Sequence, residues 1–266
     1  MRIVVCAKEV LDPDAVNNYA LSGGLAIGED GRSITSSAIP RLMNAYDEQA
    51  IEAALRIKEA GADCTVTVVS AGPDPAAILK HAVALGADEI ISIPIEDVAI
   101  DYHVIANVLA AYIRSSGGAD LVLCGRQASD DDQGVVPALI AESLDMPLIS
   151  IARAVELSAE GTVRVTRVTP DGDEVVEADC PAVVTISNEL GEPRYPTAMM
   201  TIRARRTPAT VVNVNDLGDI DLDAKVTLVK QSVPTVQGNC EVLDGESPSE
   251  IARNLVRRLH EDGVLS

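Results

Sequence analysis

The first two thirds of the chain alternate short, largely apolar runs with stretches of helical periodicity, and this alternation constrains the fold more than any other feature. Strand candidates are Ile3–Ala7, Thr65–Ser70, Glu89–Ile93 and Leu121–Cys124. Each is short and apolar on both faces, as strands covered by helices on both sides must be. Helical patterns lie between them, over Tyr46–Ala60, Pro75–Ala84, Tyr102–Ser115 and Val135–Ser143. In the first of these, Ala50, Ile51, Ala54, Leu55 and Lys58 follow the i, i+3, i+4 spacing of one helix face. Asp47 puts negative charge at that helix start, where the backbone dipole favours it. The pattern predicts an α/β fold with a doubly wound, mostly parallel sheet.

Composition bears on what such a fold can do. Of 266 residues 47% are apolar, yet the chain has five Tyr and neither Phe nor Trp. An aliphatic core suits close packing of helices on a sheet, and the scarcity of aromatic rings argues against binding by base stacking. A net charge of −20 argues against nucleic acid, because neutralising phosphates needs a basic surface. Solubility or a salt-adapted source accounts for the acidity. Cys6, Cys64, Cys124, Cys180 and Cys240 form no Cys-x-x-Cys motif and read as reduced thiols of a cytoplasmic protein. No secretory signal precedes the first strand, and no apolar run reaches the roughly 18–20 residues of a membrane span, so membrane insertion is not expected. His81, His103 and His260 stand singly, without neighbours at ligand spacing, and no metal site is expected.

Other segments depart from the alternation. Residues 11–39 hold Ser22-Gly-Gly and Glu29-Asp-Gly-Arg, both turn signals, and read as an excursion of hairpin or loop. After Pro147, Ala154–Val168 and Asp173–Glu177 alternate polar and apolar on either side of Asp171-Gly172, a hairpin signal, and Ala182–Ser187 is a further buried strand. The α/β domain is therefore expected over 1–206. A polar, Asp-rich linker follows over 207–235, then a C-terminal arm over 236–266. Within the arm, Ser247-Pro-Ser-Glu250 fits a capping box that opens a helix over Ser247–Glu261. The arm packs either on another subunit or back on its own domain; the residues alone leave both open.

The stretch from Asp120 to Glu142 carries the clearest chemical signal. A buried strand ends at Gly125, a polar loop follows, and a helix begins near Val135. In open parallel sheets ligands bind outside the carboxyl ends of strands, where helix N-termini offer free N–H groups to phosphates. Gly125 and Gly134 allow close backbone approach. Asp130, Asp131 and Asp132 line a phosphate poorly and suit ribose hydroxyls or helix capping better. An ordinary strand–loop–helix junction with an acidic cap remains the competing reading. Neither a G-x-G-x-x-G nor a P-loop signature occurs.

Several motifs in order resemble one family. Gly125-x-Gln-Ala-x-Asp-x-Asp, followed by a helix and Pro147, is similar to the nucleotide loop of the electron-transfer flavoprotein β subunits. Asn44-Ala-Tyr-Asp-Glu48 resembles their Asn-Pro-aromatic-Asp-Glu segment, with Ala45 where Pro is usual. Ser70-Ala-Gly-Pro73, Leu85-Gly-Ala-Asp-Glu89, Glu192-Pro-Arg-Tyr-Pro-Thr197 and Arg203-Ala-Arg-Arg206 match further segments.

The resemblance implies an adenine-nucleotide α-hydrolase-like fold. Its nucleotide site would comprise Ala7, Asn44, Ala45, Tyr46, Asp47, Ala71, Gly125, Arg126, Gln127, Asp130, Asp131, Asp132, Gln133, Gly134, Val135 and Val136. It implies an α-subunit partner that carries FAD, a C-terminal arm that contacts that partner, and a docking segment for an acyl-CoA dehydrogenase or similar flavoprotein. Glu192, Arg194, Tyr195, Ala198, Met199 and Met200 fall in that segment. The AMP-binding members have Asn-Gln-Thr where this chain has Gly134-Val135-Val136, so the loop lacks polar side chains for a terminal phosphate. The expectation is FAD in this subunit, with AMP as the alternative and NADH as an electron source in an electron-bifurcating form. At the docking segment the family's anchor Leu falls on Ala198, with Met199 or Met200 as its replacement or as core filler. Arg203–Arg206 is a solvated face or a partner contact.

A stand-alone nucleotide-binding regulator of the universal-stress-protein kind shares the fold class, yet it leaves Glu192–Arg206 and the arm unexplained. An ATP-pyrophosphatase would need a Ser-Gly-Gly loop just after the first strand, and Ser22-Gly23-Gly24 comes too late.

Overall fold

In chain order the elements are β1 (Arg2–Cys6), β2 (Glu9–Leu11), α1 (Pro13–Leu21), β3 (Arg41–Met43), α2 (Ala45–Glu59), β4 (Thr65–Gly72), α3 (Ala76–Leu85), β5 (Glu89–Pro94), α4 (Tyr102–Ser115), β6 (Leu121–Gly125) and α5 (Val136–Leu144). There follow β7 (Leu148–Leu157), β8 (Thr162–Thr169), β9 (Gly172–Asp179), β10 (Ala182–Ile186), α6 (Ala198–Arg206), β11 (Thr210–Val211) and α7 (Pro248–Glu261). The computed structural model describes residues 1–35, 38–96, 98–158, 161–233 and 240–265. They divide into two units, Met1–Gln231 and Ser232–Ser266.

The first unit is built on a nine-stranded sheet of order β11-β5-β4-β1-β6-β10-β7-β8-β9. From β11 to β7 every pairing is parallel, and β8 and β9 add an antiparallel extension beyond β7. The alternating side chains of β1 and β6 explain why the core has two halves. Ile3, Val5, Leu121 and Leu123 face α2 and α3, where Ile51, Leu55 and Leu79 meet them. Val4, Cys6, Val122 and Cys124 face the other way, against Val104 and Val108 of α4 and Ile140 of α5. Fully burying an aliphatic side chain of this size contributes about 1.5–3 kcal/mol, and this helix-on-sheet burial stands in for aromatic packing.

β1 and β6 lie side by side, with Cys6 opposite Cys124. From β1 the chain winds outward through β4 and β5; from β6 the sheet continues through β10 and β7. Their carboxyl ends are thus the topological switch point, where the connecting loops diverge and leave a crevice.

Three sequence expectations are corrected. The domain does not end at 206: β11 pairs with β5, and Val212, Val214, Leu217, Ile220 and Leu222 pack on the α4 side of the core. The stretch expected as a linker over 207–235 therefore belongs to the first unit as far as Gln231; residues 234–239 of it and of the arm lie outside the described residues. The excursion over 11–39 is not only turns, since it contains α1. Asp12 caps that helix by accepting from Asp14 N and Ala15 N, and Pro13 occupies its first turn. Beside it β2 and β3 form a small antiparallel sheet. The run over Ala154–Val168 is two strands rather than one, β7 ending at Leu157 and β8 starting at Thr162.

In the second unit Ser247 caps α7 by accepting from Glu250 N at 3.3 Å, and the Glu250 carboxylate accepts from Glu246 N at 3.0 Å. No residue of α7 is buried, and Ile251, Leu255 and Val256 are exposed. Among the described residues, no helix is long and apolar enough to cross a membrane.

Candidate functional site

The start of α2 ties the loops of the crevice together. Asn44 is buried, and its side chain is occupied by the loop after β6: Nδ2 donates to Gln127 O at 2.9 Å, and Oδ1 accepts from Ser129 N at 3.2 Å. Its own N–H donates to Lys8 O at 3.0 Å. Three residues on, buried Asp47 accepts from Lys8 N at 2.8 Å and from Gly125 N at 2.9 Å. One turn of helix thereby fixes the exits of both β1 and β6. Burial pushes the Asp47 carboxyl up to about 7, and the N–H groups of Lys8 and Gly125 pull it back only in part.

Gly125 has no room for a side chain. A Cβ there would stand 2.7 Å from Tyr46 Cβ and 2.9 Å from the Tyr46 carbonyl carbon. Ala7 is buried at the end of β1, donating its N–H to Val69 O at 2.9 Å, and Ala71 lies half-buried near the end of β4. The sequence thus brings Ala7, Asn44, Asp47, Ala71 and Gly125 to the carboxyl ends of three adjacent strands.

The loop from Arg126 to Val135 closes one side. Lys8 Nζ reaches Asp130 at 2.7 Å and Asp131 at 3.1 Å. Burial disfavours the Lys8 charge, but those two carboxylates outweigh it and raise its pKa. Asp132 sits at φ +53° and accepts from Gln127 Nε2 at 2.7 Å. Gly134 follows at φ +62°, and a Cβ on it would lie 2.7 Å from Arg126 O. α5 then begins with Val135 as its cap residue and no side-chain capping bond. Within its first turn Pro137 has no N–H and Ala138 N donates to Val135 O at 3.1 Å, so the N–H groups of Val135 and Val136 are the ones without an acceptor among the described residues. Asp130 and Asp131 engage Lys8 rather than the start of α5, so the acidic loop is not a cap for that helix.

Arg126 turns away from the loop. Its guanidinium stands 5.2 Å over the Tyr46 ring and reaches Ser187 Oγ at 3.4 Å, while its buried Nε meets no acceptor among the described residues. A cavity of about 370 Å³ lies on the α5 side of the loop, lined among others by Gln127, Gly134, Pro137, Ser150 and Thr185. Ala7, Asn44 and Ala71 do not line it, so it adjoins the switch-point crevice without being that crevice.

The second group of expected residues gathers elsewhere. Arg194 is held by Glu52 and Glu59 of α2, and Thr197 caps α6 by accepting from Met200 N at 3.3 Å. Tyr195 is 86% exposed and Met199 79%; Glu192 and Ala198 are exposed too, whereas Met200 is half-buried. Met199 and Met200 therefore differ, and only Met199 presents itself to solvent.

Sequence reading did not single out Lys8, Ser129, Glu52, Arg56 or Glu59. Glu52, Arg56 and Glu59 carried a usable signal, because their i, i+4, i+7 spacing marks one stripe along α2. Lys8 offered only its place just after a strand.

A doubly wound sheet whose switch point collects polar loops and an uncapped helix start is the architecture in which α/β proteins hold ligands. Compared with known proteins, the chain matches the electron transfer flavoprotein domain over residues 32–217. It is 33% identical to the caffeyl-CoA reductase-Etf complex subunit CarD of Acetobacterium woodii, covering 100% of both chains. It is 32% identical to the electron transfer flavoprotein subunit beta of Thermoanaerobacterium thermosaccharolyticum, again with 100% of each covered. The acryloyl-CoA reductase electron transfer subunit gamma of Anaerotignum propionicum is 30% identical over 100% of both. The chain belongs to the electron transfer flavoprotein family, as a β-type subunit with an electron-transfer role.

Proposed function

We propose that this subunit holds an adenine dinucleotide, FAD, at the switch-point crevice and pairs with an α subunit to relay electrons. The observation that carries the choice of ligand is the uncapped start of α5. Gly134, Val135 and Val136 offer a phosphate backbone N–H groups and no polar side chain. A terminal monophosphate carries close to two charges and calls for several charge-assisted donors. A pyrophosphate bridge spreads its charge over two centres and suits backbone recognition at a helix N-terminus. The closeness of Gly134 to Arg126 O gives the loop the tight turn that such an approach needs. FAD bound here would supply the redox chemistry. The chain's own residues position it: Asn44 and Asp47 fix the loops, and Lys8 with Asp130 and Asp131 closes the mouth.

The α6 segment is the docking surface for the electron donor in this reading. Two relatives are named for caffeyl-CoA and acryloyl-CoA reductase assemblies, which supports a flavoprotein of the acyl-CoA dehydrogenase class as partner. An FAD in each subunit goes with an electron-bifurcating form that also takes electrons from NADH. The arm contacts the α subunit, for which the unburied apolar stripe Ile251, Leu255 and Val256 is the motivation.

Denaturing the purified αβ complex and quantifying released nucleotides tests the ligand. Two FAD per αβ pair is the expected result; one FAD and one AMP assigns the crevice to AMP and rejects this part of the reading.

A further inference from the structure

α6 packs on α3 and leaves its other side to solvent. Met199 and Ile202 are 79% and 55% exposed, and Arg203 and Arg206 are exposed at the spacing of the same helix side. Its one buried residue is Ala204. The backbone leading into it, between β10 and Thr197, joins no sheet, and side chains fix that lead-in segment. They come from α2. Glu52 is buried, and its carboxylate takes Arg194 Nε at 2.7 Å, Arg194 Nη2 at 3.3 Å, Arg194 N at 3.2 Å and Arg56 Nε at 2.8 Å. Arg56, oriented in this way, donates onward to Leu190 O at 2.9 Å and Glu192 O at 3.4 Å. On the solvent side Glu59 receives the rest of the Arg194 fork at 2.6 and 3.0 Å.

Burying a carboxylate on a core-facing helix is costly unless it is fully paired. Burial alone would raise the Glu52 pKa; Arg194 and Arg56 outweigh it and hold the carboxyl below its ordinary range. A bidentate guanidinium–carboxylate pair whose carboxylate is buried restricts geometry as well as energy, which a fully exposed ion pair does not. We propose that Glu52 is the positioning residue of the docking surface: through Arg194 and Arg56 it fixes residues 190–194 on α2 and so sets where α6 presents Met199 and Ile202. This rests on the docking reading of α6 given above. Glu52 touches neither partner nor nucleotide; it acts through the segment it holds.

The test uses the intact αβ complex with Glu52→Gln, which keeps the volume and removes the charge, and with Arg194→Lys, which keeps the charge and removes the fork. Hydrogen exchange followed by mass spectrometry should show amides of 192–206 exchanging about tenfold faster in both variants, the scale of one lost charge-assisted hydrogen bond. Exchange over 125–135 and flavin content should be unchanged. With the flavoprotein dehydrogenase that reduces the complex, KM should rise about tenfold while kcat at saturating partner holds. Unaltered exchange over 192–206 in both variants overturns the proposal, as does faster exchange with KM unmoved. Truncating Met199 and Ile202 to Ala separates the two ideas. If that raises KM and Glu52→Gln does not, docking at α6 stands and the positioning role falls. If neither raises KM, the docking reading fails and the proposal fails with it.

Discussion

Asp47 is the residue on which the crevice turns, because its carboxylate joins the exits of two strands and is buried while doing so. Its folded pKa, raised to about 7, lies above that of an unfolded Asp, about 4. The folded state therefore binds the proton more tightly. The contribution to stability is complete below about pH 4 and is lost as pH rises towards 7, at a slope of at most about 1.4 kcal/mol per pH unit. Urea melts of the wild type and of Asp47→Asn between pH 4.5 and 7.5 should show this slope in their difference, and parallel curves would remove Asp47 as its source. Gly134 makes a second residue-scale prediction. At φ +62° with Arg126 O in the way, Gly134→Ala should cost about 1–3 kcal/mol in thermal or denaturant melts and weaken nucleotide retention. Gly125 and Gly134 stood out in the sequence as points of close backbone approach between a buried strand and a helix, whereas Asn44–Asp47 was marked by resemblance to the family, with only the charge of Asp47 at a helix start visible locally. Lys8 did not stand out, since its partners lie 122 and 123 residues further along the chain. Nothing local announces such a pairing.

At the scale of elements, what could be read followed from periodicity. The central strands and α2 to α5 each carry a buried pattern long enough to count. β11, with two residues, carries none, and it was the tertiary pairing with β5 that drew 207–231 into the first unit. α1 did have a signal, Asp12 followed by Pro13, but the glycine turns that follow it dominated the reading. α6 was placed by resemblance, and only the structure separated exposed Met199 from half-buried Met200. Truncating Met199 and Ile202 together should slow electron transfer at limiting partner by about tenfold or more, as loss of an interface hot spot does. Met200→Ala should act mainly on stability instead. Stopped-flow reduction of the complex at several partner concentrations, beside thermal melts, distinguishes the two. α7 belongs to the unit 232–266, whereas the sheet and its two half-cores lie within 1–231. A chain ending at Gln231 should therefore fold with an unchanged melting transition while failing to assemble with the α subunit, as gel filtration of a co-expressed pair would show.

At the scale of the whole molecule, the chain is a β-type electron-transfer subunit that works within a heterodimer. The sheet supplies a crevice, and α7 leaves its apolar stripe unburied. The most direct measurement is the visible spectrum and flavin content of the chain purified alone, beside the chain co-expressed and co-purified with its α subunit. A yellow 1:1 complex whose flavin is bleached by its electron donor is expected, beside a chain that alone shows no donor-dependent bleaching. A chain purified by itself whose flavin the electron donor bleaches as fast as in the complex would contradict this.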